Sequence, residues 1–118
     1  MFIISVKDEF SGAHNLRGYE GKCEKLHGHN WKVEVAVGKN DLDDTGMVTD
    51  FKVLKKQLNA VLDGLDHKYL NDLPCFSSSN PTSENIARYI YEELTRSVEN
   101  VLKVTVWETD TSKASYFK

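Results

Sequence analysis

Two histidines and a thiol crowd into seven residues, Cys23-Glu24-Lys25-Leu26-His27-Gly28-His29. Side chains two apart share one face of an extended backbone, so His27 and His29 can aim at a single centre. His14 is the candidate third imidazole. Three imidazoles suit zinc, and leaving the fourth position to water or substrate is the arrangement of a catalytic centre. Cys23, four residues before His27, has two readings. It closes the metal site as a fourth ligand, or it acts as a base whose thiolate form is favoured by the neighbouring cation. Asp66-His67 joins a carboxylate to an imidazole that titrates near neutrality, a combination able to give or take a proton. The plainer alternative for that pair is a capping carboxylate beside a solvated histidine.

The elements that must position these groups are legible in the hydrophobic periodicity. Phe2, Ile4, Val6 and Phe10 occupy even positions of a half-buried strand, and His14 continues that parity past Gly12. A loop over Asn15 to Lys25 follows. Trp31, Val33, Val35 and Val37 then define an odd-numbered inward face that His27 and His29 share. Two strands thus each deliver histidine from the end of a buried face. After Asp50, an N-cap, Phe51, Leu54, Leu58, Val61 and Leu65 recur at helical spacing, with Gly64 near the end. Residues 66–72 form a short connection and 74–81 a loop. A second helix begins around Asn80 to Glu84, with Pro81 in its first turn and Ile86, Ile90, Leu94 and Val98 as its buried stripe. Leu102, Val104 and Val106 mark the inward side of a third strand, and Ala114 to Phe117 form a short fourth. Glu108 falls on that inward parity, where a carboxylate needs a partner or a ligand. The order strand, strand, helix, helix, strand, strand predicts an α+β arrangement, an antiparallel sheet with two helices on one face.

Composition narrows the function classes. The chain has 118 residues, 40% hydrophobic and 28% charged, which predicts one globular domain over residues 1–118. Fifteen basic against eighteen acidic residues give a formal charge of −3, without the basic run that a nucleic-acid partner requires. Apolar runs are too short to span a bilayer and no leader pattern opens the sequence, so neither a membrane partner nor export is expected and the cytoplasm is the expected compartment. Cys75 reads as a partly buried small residue. Asp41 to Gly46 imitates the start of a calcium loop, but Lys52 stands where the bidentate carboxylate belongs, leaving an acidic turn.

Phe10-Ser11-Gly12-Ala13-His14, Cys23 with His27-Gly28-His29, Asp66-His67, Pro81-Thr82-Ser83-Glu84 and Glu108-Thr109 resemble, in order and across nearly the whole chain, the 6-pyruvoyltetrahydropterin synthase family. The short spacing from Cys23 to His27 is most similar to the bacterial branch that makes 6-carboxytetrahydropterin for queuosine and deazapurine biosynthesis. The resemblance implies a tunnelling fold, with a β-β-α-α-β-β subunit. Three subunits would close a barrel, and two trimers would stack as a homohexamer with active sites at subunit interfaces. It implies Zn2+ on His14, His27 and His29, Cys23 as general base, and Asp66 with His67 as a second proton-transfer pair reaching the thiol from a neighbouring subunit. Glu108 would anchor the pterin, with further contacts from Thr82 and Ser83. Lys22, Lys25, Arg17 and Lys68 are candidates for the triphosphate, or else solvated surface groups. The implied reaction converts 7,8-dihydroneopterin triphosphate to 6-carboxy-5,6,7,8-tetrahydropterin, releasing acetaldehyde and triphosphate. The alternatives are 6-pyruvoyl formation and a non-catalytic zinc or pterin-binding module.

Overall fold

The computed structural model describes residues 1–18 and 25–118. Two long strands, β1 (Phe2–His14) and β2 (His27–Lys39), pair antiparallel along their full length. Helix α1 (Phe51–Asp63) follows, then a two-residue strand β3 (Lys68–Tyr69), helix α2 (Ser83–Leu94), and strands β4 (Val101–Thr109) and β5 (Ser112–Tyr116). Among the described residues the sheet has the order β3-β1-β2-β4-β5. Both helices lay their apolar stripes on one face of it. The core joins Val6 and Phe10 of β1, Trp31, Val33, Val35 and Val37 of β2, and Val104 and Val106 of β4 to the leucines and isoleucines of the helices.

The even parity of β1 persists without a bulge through Gly12, so His14 emerges on the buried side. The sheet is not wholly antiparallel, however. β3 forms within the expected connection and runs parallel to β1, Gly12 opposite Lys68 and Ala13 opposite Tyr69. Two residues carry too little periodicity to announce a strand; the free edge of β1 recruits them.

Asp50 caps α1 as expected, accepting the Lys52 amide at 2.7 Å. Its buried row is Leu54, Leu58 and Leu62, with Val61 partly covered; Leu65 is buried just past the helix end, and Phe51 is 54% exposed rather than part of the stripe. Helical side chains lean toward the N-terminus, so the first residue of the helix projects past the packed turns. In α2 the N-cap is Thr82, whose hydroxyl accepts the Asn85 amide at 3.1 Å. Pro81 therefore precedes the cap and is not in the first turn. Ile86, Ile90 and Leu94 are buried and Val98 packs partly against the core.

In β4 a register shift opposite Ala36 and Val37 inserts an extra residue. Val101 takes the buried position and Leu102 turns to the helix-free face, correcting its expected inward place. The last strand begins at Ser112 and stops before Phe117, which is exposed. Cys75 is likewise exposed, because the 3₁₀ turn Pro74–Phe76 buries Phe76 instead. In the acidic turn, the Asp43 carboxylate accepts from the Thr45 amide, the Thr45 hydroxyl and the Met47 amide. One carboxylate oxygen, Oδ1, is thus engaged within the turn.

Candidate metal centre and adjoining groove

The register of β1 and β2 builds the centre. His14 lies opposite His27, and Gly12 opposite His29, so three imidazoles meet at one end of the strand pair. His14 is 2% exposed, while His27 and His29 are partly covered. Their rings pack edge to face, with centroids 4.5 Å (His14 to His27), 4.7 Å (His27 to His29) and 5.2 Å (His14 to His29) apart. Trp31, fully buried, closes the floor, edge-on to His14 and His29.

Hydrogen bonds to the outer nitrogens orient two of the rings. His14 Nδ1 donates to the Pro81 carbonyl at 2.8 Å, and His27 Nδ1 donates to the Lys25 carbonyl at 2.6 Å. A carbonyl only accepts, so each Nδ1 carries a proton, and in the neutral form each ring turns an Nε2 lone pair inward. Those two Nε2 atoms lie 2.9 Å apart. Two lone pairs at that separation repel unless a cation lies between them. His29 Nε2 is buried and, among the described residues, has a carboxylate oxygen nearby but no partner in hydrogen-bond geometry. Burial pushes the pKa of His14 and of His29 below the ordinary imidazole value, partly opposed for His14 by the Pro81 carbonyl and for His29 by Glu108. A divalent metal binds imidazoles in their neutral form, and converging Nε2 atoms such as these can supply its ligands.

Glu108 joins them. Its Oε1 lies 3.0 Å from His29 Nε2, 3.3 Å from His14 Nε2 and 4.0 Å from His27 Nε2. One ligand atom from each of His14, His27, His29 and Glu108 falls within 4.8 Å of every other, a set able to hold a metal ion. Sequence parity put Glu108 on the inward face but gave no sign that it would touch the histidines. The signal lies in the β4–β5 register, which shifts between Trp107 and Thr109 and leaves Glu108 in a bulge.

Asp66 and His67 form a pair, Oδ2 to Nδ1 at 2.9 Å. Asp66 Oδ1 accepts the Ser11 amide at 2.9 Å, and the His67 amide donates to the Ser11 carbonyl at 2.6 Å. The pair is thereby fastened to β1, three residues before His14. These bonds hold His67 at φ 56°, a left-handed conformation that a non-glycine residue adopts at some cost. Its side chain remains 81% exposed. The Ser11 amide first, then the His67 ring, keep the Asp66 carboxyl below its ordinary pKa. A groove of about 540 Å³ is bordered by Ser11, His29, Asn30, His67 and Tyr69. That volume suits a small-molecule ligand.

Thr82 and Ser83 open α2, one and two residues beyond the carbonyl that orients His14. The Thr82 oxygen accepts the cap hydrogen bond and keeps its own proton available. Arg17 is not a free cation: its guanidinium donates to the carbonyls of Asn71, Phe76 and Ser79. Lys25 and Lys68 are exposed. Cys23 and Lys22 lie outside the described residues. The clamp formed by Asn71, whose side chain bonds both the amide and the carbonyl of Asn15, had no sequence signature.

A family profile described as 6-pyruvoyl tetrahydropterin synthase matches residues 3–118. The chain belongs to this family. A relative from Synechocystis sp. named 6-carboxy-5,6,7,8-tetrahydropterin synthase is 43% identical over 99% of this chain and 94% of its own length. One from Archaeoglobus fulgidus, named putative 6-carboxy-5,6,7,8-tetrahydropterin synthase, is 42% identical over 92% of this chain and 89% of its own. The solved 6-pyruvoyl tetrahydropterin synthase of Caenorhabditis elegans superposes with a TM-score of 0.86 at 34% identity, covering 100% of this chain and 97% of that one. The subunit thus has the tunnelling fold of the pterin synthase family, with the small β3 added to the expected strands. No helix among the described residues is long and apolar enough to cross a membrane.

Proposed function

We propose that the protein is a zinc-dependent 6-carboxy-5,6,7,8-tetrahydropterin synthase, converting 7,8-dihydroneopterin triphosphate with release of acetaldehyde and triphosphate. The observation that carries the reading is the meeting of three inward Nε2 atoms with Glu108, where His29 also borders a groove lined by His67. In a family with these relatives, that geometry supports catalysis over simple binding, since an exposed, oriented imidazole outside the metal cluster serves proton transfer.

His14, His27 and His29 would hold the zinc ion, which supplies Lewis-acid polarisation of side-chain oxygens. Cys23 removes a proton from the substrate side chain. His67, oriented by Asp66, returns or relays protons at the site of a neighbouring subunit. Glu108 accepts two parallel hydrogen bonds from the guanidine-like edge of the pterin, and Thr82 and Ser83 add contacts at the start of α2. A cytoplasmic homohexamer would complete each site with residues from a neighbouring subunit and cover the exposed sheet edges. A place in queuosine and deazapurine biosynthesis follows from the product.

Incubating purified, zinc-loaded protein with 7,8-dihydroneopterin triphosphate tests this. Acetaldehyde together with a carboxylated pterin is the expected result; zinc binding without turnover would overturn it in favour of a binding module. The likeness to the Caenorhabditis elegans enzyme favours one second reading, 6-pyruvoyl formation, which would give a pyruvoyl pterin and no acetaldehyde.

A further inference from the structure

The Glu108 carboxylate is close enough to the imidazoles to act on the metal as well as on a substrate. A tetrahedral ion with ligands at about 2.0–2.1 Å separates its ligand atoms by about 3.3 Å. The Glu108 oxygen lies 3.0, 3.3 and 4.0 Å from the three Nε2 atoms, and the His14 to His27 pair is 2.9 Å apart. These separations bracket the tetrahedral value, with Glu108 at the fourth corner. The bulge at Trp107 to Thr109 frees that residue from regular pairing with β5, so its side chain can be aimed independently of its neighbours. The carboxylate is also 29% exposed, open to an arriving ligand.

Four protein ligands close a metal centre, whereas catalysis needs one position for substrate. We infer that Glu108 is a displaceable fourth ligand: it completes the coordination of the substrate-free centre with His14, His27 and His29, and leaves it for the ring of an incoming pterin. The second half of this inference rests on the proposed pterin chemistry; the first half does not. A carboxylate that leaves a cation needs another partner, and the paired N–H donors of the pterin edge provide one. The metal position would then open only when a ligand with that donor edge has arrived. Glu108 would thereby couple recognition of the ring to access for the side chain.

Cobalt(II) in place of zinc makes the coordination visible through its d–d absorption. Substrate-free wild type and Glu108→Gln should differ in band position and intensity, and the variant should lose its metal to a competing chelator at a lower chelator concentration. Saturating wild type with unsubstituted pterin, binding being followed by pterin fluorescence, should shift the spectrum toward that of the variant. Matching spectra for the two substrate-free proteins would overturn the ligation. An unchanged wild-type spectrum at pterin saturation would overturn the displacement. If thermal melting shows Glu108→Gln to be misfolded, Glu108→Asp serves in its place, and unshifted bands there count against the idea. The cobalt spectra are independent of turnover, so failure to form 6-carboxytetrahydropterin would weigh against the proposed reaction and leave Glu108 ligation standing.

Discussion

Trp31 donates its indole N–H to the Gly12 carbonyl at 3.1 Å, tying the floor of the histidine cluster to the strand that carries His14. The same ring stands edge-on to His14 at 4.9 Å and to His29 at 5.1 Å. Trp31→Phe keeps an apolar ring but leaves a buried carbonyl without its donor, so a stability loss of about 1–3 kcal/mol is expected. Urea unfolding would measure it. Weaker zinc retention against a chelator should accompany the loss, since both rings lose their support. Unchanged stability would show that water or a shifted neighbour replaces the bond.

Asp66 gives a pH-dependent prediction. Its carboxyl pKa lies below the ordinary value, chiefly through the Ser11 amide and then through His67. A depressed folded pKa contributes stability that is present above the unfolded value, about 3.9, and is lost as pH falls through the lower folded value. The stability gap between wild type and Asp66→Asn should therefore be constant near neutrality and close below about pH 4. Urea midpoints from neutral to acid pH, with chelator present, would show it; a gap that persists in acid would contradict this origin. In the pterin assay, kcat of Asp66→Asn should fall by roughly 10²-fold, as for loss of an oriented proton-transfer group.

The strand parities were readable because the period of two survives to the strand ends: even from Val6 to His14, odd from His27 to Val37. Those parities predict that three histidines converge, and they do. What the sequence concealed depends on irregularity or on contacts across long intervals. The bulge around Glu108 has no residue signature, so a carboxylate expected to face a substrate was not seen to touch the imidazoles as well. Pro81 was visible as a helix-start residue, yet its contribution is a carbonyl 67 residues from His14. Arg17 appeared to be a surface cation for the same reason, because its three acceptors lie more than fifty residues away.

Arg17 should consequently matter for stability more than for substrate charge. Arg17→Ala removes three hydrogen bonds to main-chain carbonyls of the segment between β3 and α2, and a loss of about 1–3 kcal/mol is expected. Thermal melting would detect it. If KM for the triphosphate substrate rises steeply at unchanged stability, the side chain binds phosphate instead.

Cys23 is tested by separating metal binding from turnover. Cys23→Ala should abolish product formation while zinc, measured by elemental analysis, stays stoichiometric. Concomitant loss of the metal would instead make the thiol a ligand.

The alignment of β1 with β2 pairs His14 with His27 and Gly12 with His29. Slipping one strand by a single residue would turn both histidines of β2 to the opposite side of the sheet. Only the correctly threaded ladder gathers the three nitrogens, so an ion held there discriminates among rival alignments as well as taking part in chemistry. Metal supplied during refolding should enrich the native pairing over its neighbours, making the centre a proofreader of the protein's own assembly.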